Sequence, residues 1–287
     1  MNKTKINWCD MTWNPIVGCN KIAQGCRNCY AEQLHTMRHK AYLEGKKLPV
    51  QYAKPFSAIQ FFPERLNDPK LRSKKPLRIF VNSMSDLFHE DIPFELIDSV
   101  YEVMGFHKQH TFLVLTKRIQ RALEYYKWTS IFAAFGKMQN IELGVSVEDQ
   151  KAADERIPIL LKTPAAHRFI SCEPLLGKID LSPWINPKSF SKAINDDKIG
   201  KATNKTIYTR MGNNIIPVKL DWVIVGHESG KNRRQGTTDD VRAIVNDCKG
   251  NNIPVWVKQL QLCLDNKITD NIEDFPENLR IRELPKC

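Results

Sequence analysis

Three thiols, Cys19, Cys26 and Cys29, fall within eleven residues in the stretch "VGCNKIAQGCRNCYAEQ". Their C-x6-C-x2-C spacing admits three chemistries: a disulfide fragment, a zinc site, or three legs of an iron–sulfur cluster. Zinc needs a fourth ligand. His35 or His39 would supply it, since the two lie four apart and share a face of the helix expected after Cys29. The plainer role for both histidines is a solvated polar face. A cluster held by three cysteines keeps one iron open for a cofactor. The compartment bears on the choice. "MNKTKINWCD" has no apolar run after its lysines, and no stretch reaches bilayer length. Cys287 stands last, where a prenylation box needs its Cys fourth from the end. The expectation is a soluble, cytoplasmic protein, in which disulfides are disfavoured and a tight thiol group points to metal or redox chemistry.

Carboxylates and cations recur at a second set of positions. Short β-branched and aliphatic runs end in polar residues: Asn82, Ser83, Ser85 and Asp86 after "RIFVNS"; Thr116, Lys117 and Arg118 after "TFLVLTK"; Ser146, Glu148 and Asp149 after "IELGVSV". The series continues with Ser171, Cys172 and Glu173 after "RFISCEP", His227, Glu228 and Ser229 after "DWVIVGH", and Lys258 and Gln259 after "PVWVKQL". Glu148 reads equally as a helix N-terminal acid favoured by the dipole. Glu173 does not, because Pro174 follows it. Ser146 and Asp149 have a capping-box-like spacing, so Ser146 reads first as a helix cap. Lys117 is a candidate for a phosphate or carboxylate, or a surface lysine. No Walker loop, G-x-G-x-x-G or G-x-S-x-G is present, so a classical nucleotide hydrolase or serine hydrolase is unsupported.

The elements that must position these residues are strands and helices in alternation. Near-continuous apolar strands are the mark of a parallel sheet covered on both faces. With an early strand near Asp10–Asn14 they number about seven. Helical patterns lie between them, such as "IPFELIDSVYEVM" and "TTDDVRAIVNDCKGNN". The latter opens with Thr237 and Asp240 at capping spacing, closes at Gly250, and puts Val241, Ile244, Val245 and Cys248 on one face. "SVEDQKAADERIPILL" should break or end at Pro158. The alternation predicts an α/β fold, a partial or full TIM-like barrel, with a doubly wound open sheet as the alternative. In a barrel the strand ends would converge on one mouth, and the cysteine loop would follow the first strand there. One domain over 1–287 is expected, with loop insertions near 43–77 and 182–219. The 287 residues carry a net charge of +11 and a pI near 9.2, and the segment from Met37 to Arg78 is strongly basic. That charge suits a polyanion such as DNA or RNA, or a plain solvated surface.

Several motifs in order, "WCDMTWNPIVGC", "GCRNCYAE", "VNSMSDLFHE", "LTKR", "LGVSVEDQKAADERIPILL", "RFISCEPLLGKIDL", "LDWVIVGHESG" and "VKQL", resemble a phage and prophage family of uncharacterised gp-thirty-seven or gp-sixty-eight proteins. The resemblance covers nearly the whole chain. That family is similar to radical S-adenosylmethionine (SAM) enzymes, loosely to spore photoproduct lyase. Two departures stand out. The superfamily spacing is C-x3-C-x2-C with an aromatic before the last Cys, whereas here the first gap is six and Tyr30 follows the last Cys. The family's glycine pair reads Gly226-His227 here.

The resemblance implies that Cys19, Cys26 and Cys29 hold a [4Fe-4S] cluster and that its open iron binds SAM. One-electron reduction would then yield a 5′-deoxyadenosyl radical for C–H abstraction. Asp86, Ser146, Glu148, Glu173 and Glu228 become candidates for cofactor contacts, and Lys117, Arg118, His227 and Lys258 for substrate contacts. DNA or a nucleotide is the expected substrate, an electron donor the expected partner, and the bacterial host cytoplasm the expected location. The alternative is a zinc-stabilised, non-enzymatic nucleic-acid-binding phage protein. Cys9, Cys263 and Cys287 carry no assigned role.

Overall fold

The computed structural model describes residues 1–185, 207–211, 214–230, 232–262 and 267–285. The chain divides into two compact units, Met1–Gly144 and Val145–Cys287. Both alternate buried strands with amphipathic helices, so the protein is α/β with mostly parallel strand pairing. All seven strands expected from the apolar runs are present.

The first unit contains β1 (Asn2–Lys3), β2 (Met11–Trp13), β3 (Ile16–Val17), β4 (Gln60–Phe61), β5 (Arg78–Val81) and β6 (Thr111–Thr116). β2, β5 and β6 pair in parallel, Met11 beside Ile79 and Arg78 beside Thr111, and β1 runs antiparallel along β2. Trp13, Ile79, Phe112, Leu113 and Val114 are fully buried, as strands covered on both faces require. α1 (Tyr30–Leu43) starts directly after Cys29 and buries only Ala31 and His35. α2 (Phe94–Phe106) follows Pro93 and buries Ile97, Val100, Tyr101 and Met104, the i, i+3, i+4, i+7 stripe of a core-facing helix. α3 (Ile119–Trp128) and α4 (Ile131–Phe135) complete the unit, and β7 (Ile141–Ser146) runs across the division.

The second unit contains α5 (Gln150–Lys162), β8 (His167–Cys172), α6 (Ser182–Ile185), β9 (Ile207–Met211), β10 (Asn214–Val218), β11 (Trp222–Val225), α7 (Thr238–Gly250), β12 (Val255–Val257), β13 (Leu260–Gln261) and β14 (Ile268–Thr269). β11 pairs in parallel with β8 and with β12. α7 has the predicted cap and face: the Thr237 side chain accepts from the Asp240 N–H, and Val241, Ile244, Val245 and Cys248 are buried.

Two local expectations are corrected. α5 passes through Pro158 to Lys162. The ring removes one hydrogen bond to the preceding turn, but the buried face of Ala152, Ala153, Ile157, Leu160 and Leu161 holds the helix together. Ser146 is not a helix cap: it is the last residue of β7, and the Asp149 side chain caps α5 by accepting from the Ala152 N–H at 2.8 Å.

The basic stretch near 43–77 folds as short 3₁₀ turns plus β4, which pairs antiparallel with β3. Part of its charge is structural. Arg65 donates to the Asn14 carbonyl at 2.8 Å and stacks over Phe62 at 4.0 Å, and Trp13 donates to the Arg65 carbonyl at 2.8 Å. Of the stretch near 182–219, residues 186–206 and 212–213 lie outside the described residues; the rest is α6 and the β9–β10 hairpin. No helix among the described residues is long and apolar enough to cross a membrane.

Candidate functional site

In the first unit the cysteine loop leaves the strand ends through Gly18. Its N–H donates to the Met84 carbonyl at 3.0 Å, and its carbonyl accepts from the Ser85 hydroxyl at 2.6 Å. Gly18 has φ +108°, and a Cβ there would stand 2.3 Å from the Ala58 carbonyl oxygen. The Cys19 N–H then donates to the Phe56 carbonyl at 2.9 Å. The floor under the loop is apolar: Val17, Ala31, Phe56, Phe62 and Met84 pack together, with Cys19, Cys29 and Leu34 against them.

Above that floor Arg118, at the end of β6, ties the loop to two acids. Its Nη1 lies 3.6 Å from Cys19 Sγ and 3.3 Å from Asp86, its Nε donates to Glu90 at 2.7 Å, and its Nη2 donates to the Asn20 side-chain oxygen. Asp86 also accepts from the Thr116 hydroxyl at 2.7 Å, the Lys117 N–H at 3.0 Å and the Phe88 N–H at 3.1 Å. Burial opposes the charge on Arg118, but Asp86, Glu90 and Cys19 outweigh it and hold the guanidinium protonated. The Arg118 hydrogen bond holds Glu90 down at about 2. Burial, reinforced by the Asp86 charge and opposed by Arg118, pushes the Cys19 thiol up to about 11.

Cys29 sits at the N-terminus of α1. Burial raises its thiol pKa, while the backbone N–H groups of Glu32 and Ala31 favour its thiolate and Cys26 opposes it. The Lys117 ammonium also favours that thiolate. Cys26 is thus within electrostatic reach of both neighbours, Cys19 and Cys29. Among the described residues, no three Cys, His, Asp or Glu side chains stand together at metal-holding spacing. Tyr30 donates its hydroxyl to the Ser83 carbonyl at 2.6 Å, which fixes the start of α1.

Of the two histidines proposed as a zinc ligand, His35 faces inward rather than forming a solvated face, and His39 is half-buried. His35 is fully buried with Nε2 2.9 Å from the Lys54 carbonyl, and His39 Nδ1 lies 2.7 Å from the Tyr52 carbonyl. Both hold the chain that passes beneath the cysteine loop. Cys9 is hydrogen-bonded in its own turn, 3.7 Å from the Ile6 carbonyl, while Cys263 and Cys287 lie outside the described residues.

In the second unit each of three carboxylates has a cation. Buried Glu148 accepts from Arg156 Nη1 at 2.8 Å, and the same nitrogen reaches the Ser146 carbonyl at 2.7 Å. Buried Glu228 accepts from the Arg234 N–H at 2.7 Å and from its Nε at 3.0 Å. Glu173, which precedes a cis Pro174, pairs with the Lys258 ammonium. His227 is fully buried: Nδ1 accepts from the Gln261 N–H at 2.8 Å and Nε2 lies 3.1 Å from the Thr237 carbonyl. The first contact needs a bare Nδ1 and the second a protonated Nε2, so the ring is the neutral Nε2–H tautomer. Burial lowers its pKa.

Sequence reasoning missed Arg156, Arg234, Glu90 and Asn20. Glu90 was the accessible one, four residues after Asp86 in the same strand-end loop. The fold and site define a class: an α/β protein with a three-thiol loop at the strand ends of one unit and paired carboxylates at the strand ends of the other. Residues 3–272 match a family described as a protein of unknown function (DUF5131), and the chain belongs to that family. No curated protein and no solved structure matches it.

Proposed function

We propose that the protein is a radical SAM-like iron–sulfur enzyme on a TIM-like α/β scaffold, phage-encoded, acting on DNA or a nucleotide. The observation that carries this reading is the three-thiol loop set on an apolar floor and latched by Arg118. Its donor chemistry fits a three-cysteine cluster: three thiols, no carboxylate among them, and one at a helix N-terminus whose N–H groups favour thiolate. Among the described residues the three thiols do not stand together at metal-holding spacing. When bound, the cluster would supply the one-electron cleavage of SAM.

The protein's own residues supply the rest. Cys19, Cys26 and Cys29 would be the ligands. Asp86 positions Arg118, which fixes the Cys19 end of the loop, and Lys117 offers a cation beside Cys29. In the second unit Glu173 and Lys258, a partly exposed pair, are the proposed ligand contacts; Ser146, Glu148 and Glu228 are buried, and His227 is buried with both ring nitrogens on the backbone, so these four serve the fold. Zinc is the second reading: His35 and His39 each hold a backbone carbonyl at 52–54 with one ring nitrogen, as metal-ligating histidines also do, but among the described residues neither stands in a group of three ligating side chains.

Anaerobic reconstitution should give a brown protein with stoichiometric iron and sulfide. After reduction it should release 5′-deoxyadenosine from SAM, measured with and without DNA. A colourless protein that keeps only zinc after that treatment overturns the proposal.

A further inference from the structure

The first unit has a second chemically distinct end. Three stretches, 1–10, 68–78 and 107–110, are hydrogen-bonded to one another where β2, β5 and β6 begin. The Asp10 N–H donates to the Arg78 carbonyl at 2.9 Å, and the Arg78 N–H donates to the Asp10 carboxylate at 2.7 Å. The Thr111 N–H donates to the Leu77 carbonyl at 2.9 Å, and the Gln109 side-chain amide reaches the Leu71 carbonyl at 3.1 Å. The cysteine loop lies at the other end, where the same strands finish.

These stretches hold eight Lys and Arg side chains against two acids, Asp10 and Asp68. Both acids are occupied, Asp10 by the Arg78 N–H and Asp68 by the Lys70 N–H at 2.9 Å. Arg78 is paired with Glu142, and the Lys70 ammonium donates to the Met1 carbonyl. Lys3, Lys5, Arg72, Lys74, Lys75 and Lys108 are exposed and make no ion pair among the described residues. The cysteine end differs: there Asp86 and Glu90 meet the Arg118 charge.

We propose that this end of the first unit is a docking surface for the phosphate backbone of double-stranded nucleic acid, separate from the cysteine loop. Four strands about 4.8 Å apart make a face about 15 Å wide. That width matches several phosphates at about 3.4 Å rise per strand. Phe106, at the border of the third stretch, is the one exposed large apolar side chain next to these segments among the described residues, too little to seat the surface in a lipid bilayer or an apolar partner groove. Six exposed cations against two acids that already accept hydrogen bonds suit a solvated polyanion bound by counterion release. The inference is independent of the cysteine chemistry and gives the basic composition a place on the fold.

The test is fluorescence anisotropy with a labelled duplex of about 20 base pairs over a salt series. The variant Lys74→Glu/Lys75→Glu/Lys108→Glu should weaken binding at least tenfold at about 0.1 M salt and flatten the log–log salt slope by about 0.9 for each phosphate no longer neutralised. Lys151→Glu/Lys162→Glu/Lys249→Glu removes the same charge from the second unit and should leave most of the affinity. Equal loss in both variants, or no loss in the first, overturns the proposal. So does wild-type protein that binds vesicles containing phosphatidylserine but not the duplex. Cys19→Ala/Cys26→Ala/Cys29→Ala should still bind the duplex, which separates this result from failure of the cluster reading. Circular dichroism melts check that each variant is folded.

Discussion

Arg118 Nη1 stands 3.6 Å from the sulfur of Cys19 and 3.3 Å from the carboxylate of Asp86, so one guanidinium joins the end of β6, the loop after β5 and the cysteine loop. Its fixed fork suits this better than an ammonium, because it meets several acceptors in one plane. Arg118→Ala should cost about 3 kcal/mol in urea unfolding, the low end for breaking a buried pair, because Asp86 keeps three other donors. It should also free the loop. In the metal-free protein, deuterium labelling of the backbone amides around Cys19, read by peptide mass spectrometry, should speed up several-fold; this readout does not depend on the thiolate, which Arg118 favours. Arg118→Lys should recover part of the stability and little of the loop protection. Unchanged labelling in Arg118→Ala would mean that the guanidinium does not latch the loop.

Gly18 is the hinge on which that loop turns. Its φ of +108° is open to glycine and rarely to other residues, and a Cβ there would meet backbone at 2.3 Å, which cannot give way as a flexible side chain would. Gly18→Ala should destabilise by more than about 2 kcal/mol. Gly45→Ala, at φ +85° with nothing within 4 Å, carries the backbone cost alone and should lose about 1 kcal/mol. Thermal melts of the two variants side by side separate the steric term from the conformational one.

What could be read in advance follows from how local each signal is. The seven strands were legible because a strand buried on both faces must be apolar along its length, and runs such as Phe112–Val114 and Trp222–Val225 are. The α7 face and its Thr237 cap were legible because they are set within thirteen residues. Pro158 misled because a proline signals a break locally, while the decision was made by the buried face of Ile157, Leu160 and Leu161. Ser146 misled because two oxygens compete for one capping role and the strand keeps Ser146 until its last residue. The cations were not legible. Glu148 finds Arg156 eight residues on, Glu228 finds Arg234 six on, and Glu173 finds Lys258 eighty-five on, so the partner of each acid depends on tertiary placement. The glutamates appeared as free acceptors in sequence and are paired in the fold.

That pairing predicts a hierarchy among the strand-end acids. Glu148 is 2% exposed, so Arg156→Ala strands a charge that cannot reach water. The expected loss is about 3 to 5 kcal/mol in urea unfolding. Lys258→Ala should cost under about 1 kcal/mol, because Glu173 and Lys258 retain 17% and 18% side-chain exposure and water can take over. The double change Glu148→Gln/Arg156→Met should be less damaging than Arg156→Ala alone, since it removes the unpaired charge together with its partner. A Lys258 variant as damaging as the Arg156 variant would overturn this ranking.

His227 gives the fold a pH dependence of definite sign. Burial lowers its pKa below the ordinary value of 6.5, and Nδ1 must stay bare to accept from the Gln261 N–H. Between the folded pKa and 6.5 the unfolded chain therefore binds a proton that the folded chain refuses. Stability from this residue is fully present above pH 6.5 and drains as pH falls through that window, at up to about 1.4 kcal/mol per pH unit. His227→Gln removes the titration. The wild-type advantage over this variant, read from urea midpoints between pH 5 and 8, should be largest at the alkaline end and shrink with acidification. Gly236→Ala offers a second route to the same ring, since a Cβ there would stand 2.5 Å from His227 Cδ2. It should displace the imidazole and flatten the pH profile without removing the side chain. A gap that stays constant or widens toward pH 5 would mean that His227 is not held neutral.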